Sequence, residues 1–397
     1  MLQNIARLGL SFLVFGGVLS CAEEVKKETD YLADEIGAVK TQFAPDKRVA
    51  LFDVNADKNG SVYVLKGQSN LPEAVETLKN DLKEAQIEYI DSIQLLPASK
   101  LADKIRGLVT ISVANLRSQP KHSAELATQA TLGTPVKILK NEDSWTLIQT
   151  PDKYLSWVDH GGVEPITEAE LERWKTAPKL IYTNINGSSY SEPDAKSQVV
   201  SDIVAGGILE ILGEEKGFYK VAYPDKRIAF INKNEADIYE SWISHADPSQ
   251  ENLVATSKKL MGLPYLWGGT SPKGVDCSGF TKTIYFLNGI VLPRDASQQI
   301  HTGEKIDDTK NFENLLPGDL LFFGVPATET SPERVVHVGM WIGNNEFIHS
   351  AGRVKINSVD KDAPNYDAYN VNRYLRTKRP LSSDLGGLID LKTKPML

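Results

Sequence analysis

Cysteine is nearly missing from this sequence: 397 residues carry only two, Cys21 and Cys277. At most one disulfide can form, so stability must come from packed cores rather than from a cross-linked framework. Basic charge is not in excess either. Lys and Arg number 44 against 52 Asp and Glu, a net charge of −8, and no long basic run occurs, which argues against nucleic acid as the main partner. Beyond Leu8–Leu19 there is no long apolar run, and that one is too short to cross a bilayer. With Arg7 before it, it reads as the core of a signal peptide. The remaining composition, 41% hydrophobic and 24% charged, is ordinary for globular protein, and the length suits about two to four domains.

Residues 1–21 form the expected signal. Val18-Leu19-Ser20-Cys21 resembles a lipoprotein cleavage site, which implies acylation of Cys21, export, and a membrane anchor, with residues 22–46 as a tether. Residues 47–104 read as a small α/β unit: a hairpin around Asn59-Gly60, a helix over Pro72–Ala85 and a third strand at Tyr89–Leu96. An internal repeat follows. Pro120, Gly133, Ile138, Leu139, Pro151, Asp152 and Lys153 return as Pro193, Gly206, Ile211, Leu212, Pro224, Asp225 and Lys226, at a constant offset of 73 residues. Short strands split by turn residues predict two small all-β barrels, at 105–165 and 178–240, with a linking helix at Thr167–Thr176. A third region spans 250–380, and 381–397 reads as a C-terminal tail.

Cys277 is the residue that asks for a reason, because a lone thiol in an exported protein is open to oxidation. Glycines and a proline keep the preceding segment out of regular structure, and Phe280, Ile284 and Leu287 then recur at helical spacing. Asp276 is a good N-cap, so Cys277 falls in a first helical turn, where free N–H groups and the helix dipole favour thiolate. A small buried core residue is the alternative reading. Downstream, Val336–Gly343 and Glu346–Ala351 read as a hairpin turning at Asn344-Asn345, with His337 on one arm and His349 on the other. A thiol, an imidazole and a third polar group that orients the imidazole are the parts of nucleophilic catalysis.

Pro264-Tyr265-Leu266-Trp267-Gly268-Gly269, Asp276-Cys277-Ser278-Gly279-Phe280, Leu292-Pro293-Arg294, Pro317-Gly318-Asp319-Leu320, His337-Val338-Gly339 and Phe347-Ile348-His349 occur in this order. Together they resemble the NlpC-type papain-like cysteine peptidases of bacterial cell walls, over roughly Asn252 to Arg379. The two barrels resemble the bacterial Src-homology-type domains that accompany such peptidases. The resemblance implies a multidomain fold with a papain-like α+β catalytic domain, Cys277 as nucleophile, His337 as base and His349 as its orienting partner. It implies no cofactor.

One branch of that family, the γ-D-glutamyl–diamino acid peptidases, removes dipeptides from free peptidoglycan peptides beginning L-Ala-γ-D-Glu, and there the first barrel walls the site. The features that point to this branch are Glu125 and Tyr154; the second repeat carries Gln198 and Arg227 at these places. A buried substrate ammonium needs a carboxylate and hydrogen-bond acceptors. Glu125 and Asp276 are expected to supply the charge, and Tyr265 and Ser278 the hydrogen bonds, with Tyr154 beside Glu125 in the pocket. Arg294 either neutralises the D-Glu carboxylate or pairs with Asp295. Three rival readings stay open: an endopeptidase on intact wall, a wall-binding protein with an inert domain, and a zinc site at Cys277, His337 and His349. A monomer is expected.

Overall fold

The computed structural model describes residues 31–59, 62–382 and 386–394, so the expected signal, Cys21 and the start of the tether lie outside the described residues. The described residues up to Leu96 form one compact unit and those from Pro97 onward another. In the first, strands Phe52–Asn59 and Val62–Ser69 pair antiparallel, and Tyr89–Leu95 joins Val62–Ser69 in parallel across the helix Pro72–Glu84. The expected tether is corrected here. Residues 31–43 are helical, and Leu32 and Val39 are buried with Phe52, Tyr63, Leu65 and Leu78. Burying these side chains gives the helix its tertiary support. The α/β unit also stops earlier than expected, because Ala98 donates to the Leu139 carbonyl and Leu101 lies in the core of the next region.

The first repeat folds as seven antiparallel strands between Arg106 and Ile166. Every strand sends a side chain into one core, including Val109, Leu116, Ala130, Ile138, Ile148, Val158 and Val163, as a small barrel requires. The second runs from Lys179 to Ile238 around Leu180, Ile203, Leu209, Val221 and Ile231. Between them, the helix Glu168–Thr176 starts with a capping box, Thr167 and Glu170 bonding each other's backbone N–H. The repeat extends to the backbone: the left-handed residues Asp143 and Lys153 of the first copy return as Lys216 and Lys226 in the second.

The catalytic region holds a six-stranded antiparallel sheet ordered Glu304–Asp307, Tyr374–Arg379, Leu320–Val325, Arg334–Gly343, Glu346–Ala351, Arg353–Ser358. The helix Cys277–Phe286 lays Phe280 and Ile284 against Val338, Met340 and Ile348 of that sheet. The expected C-terminal tail is corrected as well. Ile389–Asp390 pairs with Ile290–Val291, and Leu388 and Leu391 are buried, so this segment is part of the region's packing.

Candidate active site

Asp276 caps the catalytic helix by accepting from Gly279 N at 2.7 Å, which sets Cys277 at the first helical position. The close approach needs glycine: a Cβ on Gly279 would meet the Gly269 carbonyl oxygen at 1.9 Å. The backbone N–H groups of Ser278 and Val338 both act on the sulfur and favour thiolate, but burial, then the Asp276 carboxylate, prevail and push the thiol up to about 11. Cys277 is thus a neutral, buried thiol at rest, and the helix N-terminus alone does not ionise it.

Val338 follows His337, so the same strand that reaches the sulfur carries the imidazole. His337 Nε2 lies 2.7 Å from His349 Nδ1, and His349 Nε2 lies 2.9 Å from Asn357 Oδ1. Burial, then His349, hold the His337 pKa well below the ordinary imidazole value, and burial takes His349 down to about 4. Both rings are therefore neutral near pH 7. The hairpin that brings them together turns at Asn344 and Asn345, both left-handed, as a tight two-residue turn requires. Among the described residues, no group of three or more His, Cys, Asp or Glu is arranged to hold a metal ion.

Asp276, Ser278 and Arg294 form one buried cluster beside the thiol. Arg294 Nη2 donates to Asp276 Oδ2 at 2.6 Å, Nη1 to Asp276 Oδ1 at 3.2 Å and to Ser278 Oγ at 3.0 Å, and Nε to Thr128 Oγ1 at 3.0 Å. Of the two expectations for Arg294, the pair with Asp295 is present at 3.9 Å, but the guanidinium, 1% exposed, is engaged more closely by Asp276 and Ser278. The Asp276 charge is correspondingly compensated already. Tyr265, half-buried, is near enough to Cys277 and Asp276 that burial, then their charges, raise its phenol to about 12.

Besides Thr128, four residues of the first barrel bond the segments around this cluster. Glu125 Oε1 accepts from Trp267 Nε1 at 2.6 Å, Tyr154 donates to Asp295 Oδ2 at 3.1 Å, Asp152 pairs with Lys282 at 2.8 Å, and Gln129 is bonded to Thr270 and Ser271. Gly268 is left-handed with its α-carbon against the Leu126 carbonyl, where a Cβ would come to 2.1 Å. Glu125 is exposed, and its hydrogen bond comes from a tryptophan that is itself 62% exposed, so it is the carboxylate of the set that faces the open side. Asn357 and the Asp152–Lys282 pair were not foreseen. Asn357 had a signal: in the strand register His349 stands opposite Lys355, which makes Asn357 its diagonal neighbour.

The NlpC/P60 family matches residues 262–373, and the bacterial SH3 domain matches residues 112–164. A gamma-D-glutamyl-L-lysine dipeptidyl-peptidase of Bacillus cereus is 32% identical over 241 residues, 57% of this chain and 67% of that protein. Dipeptidyl-peptidase 6 of Lysinibacillus sphaericus is 27% identical over 282 residues, 66% of this chain and 94% of that protein. A solved NlpC/P60 family protein from Bacillus cereus superposes with a TM-score of 0.59 at 27% identity, covering 70% of this chain and all of that one. The bacterial SH3 match falls on the first barrel and the NlpC/P60 match on the region of the six-stranded sheet, and with a dipeptidyl-peptidase 32% identical and covered to 67%, the chain belongs to the NlpC/P60 family.

Proposed function

We propose that this chain is a thiol peptidase that hydrolyses the γ-D-glutamyl–diamino acid bond of peptidoglycan-derived peptides with a free N-terminal L-Ala. The observation that carries the reading is the first barrel's hold on the thiol's surroundings, with Glu125 presented on the open side. An exposed carboxylate whose neighbouring acid, Asp276, is already neutralised by Arg294 is a receptor for one ammonium group.

With Nε2 turned to His349, His337 has Nδ1 left for the thiol. On substrate binding Nδ1 takes the Cys277 proton as sulfur attacks the γ-D-Glu carbonyl carbon. The Cys277 N–H, at the start of the helix, is available to the oxyanion. The tetrahedral adduct collapses, the C–N bond breaks, and the imidazolium returns its proton to the departing amine. Water then gives a proton to Nδ1 and attacks the thioester carbonyl. The thiolate leaves, is reprotonated, and L-Ala-γ-D-Glu is released. Tyr265, protonated throughout, offers a neutral hydrogen bond beside the sulfur.

The test is incubation with L-Ala-γ-D-Glu-L-Lys and mass analysis of the products. L-Ala-γ-D-Glu and lysine, absent with Cys277→Ala, support the reading; no cleavage by the intact protein refutes it. Export and acylation at Cys21 are a second part of the proposal, supported by the apolar run before it. Cys21→Ala should move the protein from the membrane fraction to the soluble one, and unchanged partition would remove the anchor.

A further inference from the structure

The hydrogen-bonded chain that begins at His337 does not stop at His349. We infer that Asn357, fixed by the Asn365 carbonyl, sets the tautomers of both histidines and is a positioning residue of the thiol mechanism; the inference rests on the peptidase reading above. An asparagine side chain has one end that only donates and one that only accepts. Asn357 Nδ2 lies 2.8 Å from the backbone oxygen of Asn365, which can only accept, so the amide can face only one way. Oδ1 is thereby presented to His349 Nε2 at 2.9 Å, and that nitrogen must carry a hydrogen.

The consequence propagates inward. A neutral His349 protonated at Nε2 is bare at Nδ1. His337 Nε2, 2.7 Å from that bare nitrogen, must in turn donate. A neutral His337 protonated at Nε2 is bare at Nδ1, and a bare Nδ1 is what a base for the Cys277 proton needs. Were the Asn357 amide reversed, each proton along the line would move to the opposite nitrogen. His337 would then offer the thiol a hydrogen instead of a lone pair. Asp367 does not decide the matter, because its carboxylate stands 3.9 Å from His349 Nε2, beyond hydrogen-bonding range. Burial keeps both rings neutral, which is the condition for tautomers to matter.

Two measurements test this, and the first needs no substrate, so it is independent of the peptidase reading. Nitrogen-15 spectra of the full chain labelled at histidine, near pH 7.5, should show both His337 and His349 protonated at Nε2 and bare at Nδ1. Either ring found protonated at Nδ1 overturns the inference. The second compares Asn357→Asp with Asn357→Ala. The aspartate keeps an acceptor for His349 but sets a carboxylate oxygen against the Asn365 carbonyl, whereas the alanine loses both contacts. A tautomer-setting role predicts that Asn357→Asp keeps kcat within about fivefold, while Asn357→Ala loses roughly 10- to 100-fold in kcat at unchanged KM, the range for partners that orient a reacting ligand. If Asn357 serves only to anchor the Asn365 loop, the two variants fall equally, and the inference fails.

Discussion

In the first barrel Asp152 reaches out to Lys282 on the Cys277 helix, while its counterpart in the second, Asp225, turns back to Arg227 two residues on. Tyr154 donates to Asp295 of the catalytic region, and the residue at its place in the second copy, Arg227, donates to the Thr110 carbonyl of the first barrel. Glu125 holds the Trp267 indole, and Gln198 bonds the carbonyl of its own neighbour Val199. The strands and left-handed turns of the two copies coincide, so none of these differences is required by the barrel. At these three places the first copy reaches the thiol's surroundings, while the second bonds within itself or to the first copy; its own contacts with the catalytic region, such as Asp202 with Lys273, lie elsewhere.

That contrast can be broken in several places. The largest effect is expected at Cys277→Ala, which removes the nucleophile and should lower kcat/KM by about 10³-fold or more, whatever either barrel does. Next is Arg294→Met. It strands the Asp276 carboxylate in the buried cluster and should cost about 3–5 kcal/mol in denaturant unfolding, whereas Asp225→Asn, at a partly exposed pair in the second barrel, should cost under about 1 kcal/mol. Equal losses from the two would contradict the difference in burial between the Arg294–Asp276 pair and the Asp225–Arg227 pair.

Glu125→Gln should raise KM for a free-amine peptide by roughly tenfold, the weight of one charge-assisted contact on an exposed side, and leave kcat nearly unchanged. Gln198→Glu in the second barrel should change neither. The smallest effect is on pH dependence. His337 acts as a base only while neutral, and its pKa lies below the ordinary 6.5, so kcat/KM should rise with pH on the acid side of 6.5 and be level just above it. It should fall again as the substrate amine loses its proton near roughly pH 8 and with it the attraction to Glu125. In Glu125→Gln the acid limb should remain and the alkaline fall should flatten. An acid limb that moves with Glu125 would assign it to the wrong group.

Much of the site was legible because it is local. Asp276 and the turn of helix after it declare Cys277, and the paired asparagines at 344 and 345 declare the hairpin that carries His337 and His349. The repeat was legible down to the residues that take left-handed turns. What escaped depends on contacts between distant segments. Arg294 could not be assigned because its partner is chosen by burial against Thr128 of the first barrel, 166 positions earlier. The helix at 31–43 was hidden for another reason. Its apolar residues Leu32, Ile36, Val39 and Phe43 follow helical spacing, but their polar surroundings, close behind a signal-like segment, invite the reading of a tether. The strand at Ile389–Asp390 is too short for any periodicity to announce it.

The central claim is that the first barrel makes this a peptidase for free amino termini. The direct test is the ratio of kcat/KM for L-Ala-γ-D-Glu-L-Lys to that for the same peptide acetylated at L-Ala, measured for the intact protein and for Glu125→Gln. The account predicts a strong preference for the free amine in the intact protein, reduced about tenfold or more in the variant, as loss of one charged contact implies. Equal cleavage of both peptides by the intact protein would contradict it, and would leave the thiol chemistry standing without the barrel's part in choosing the substrate.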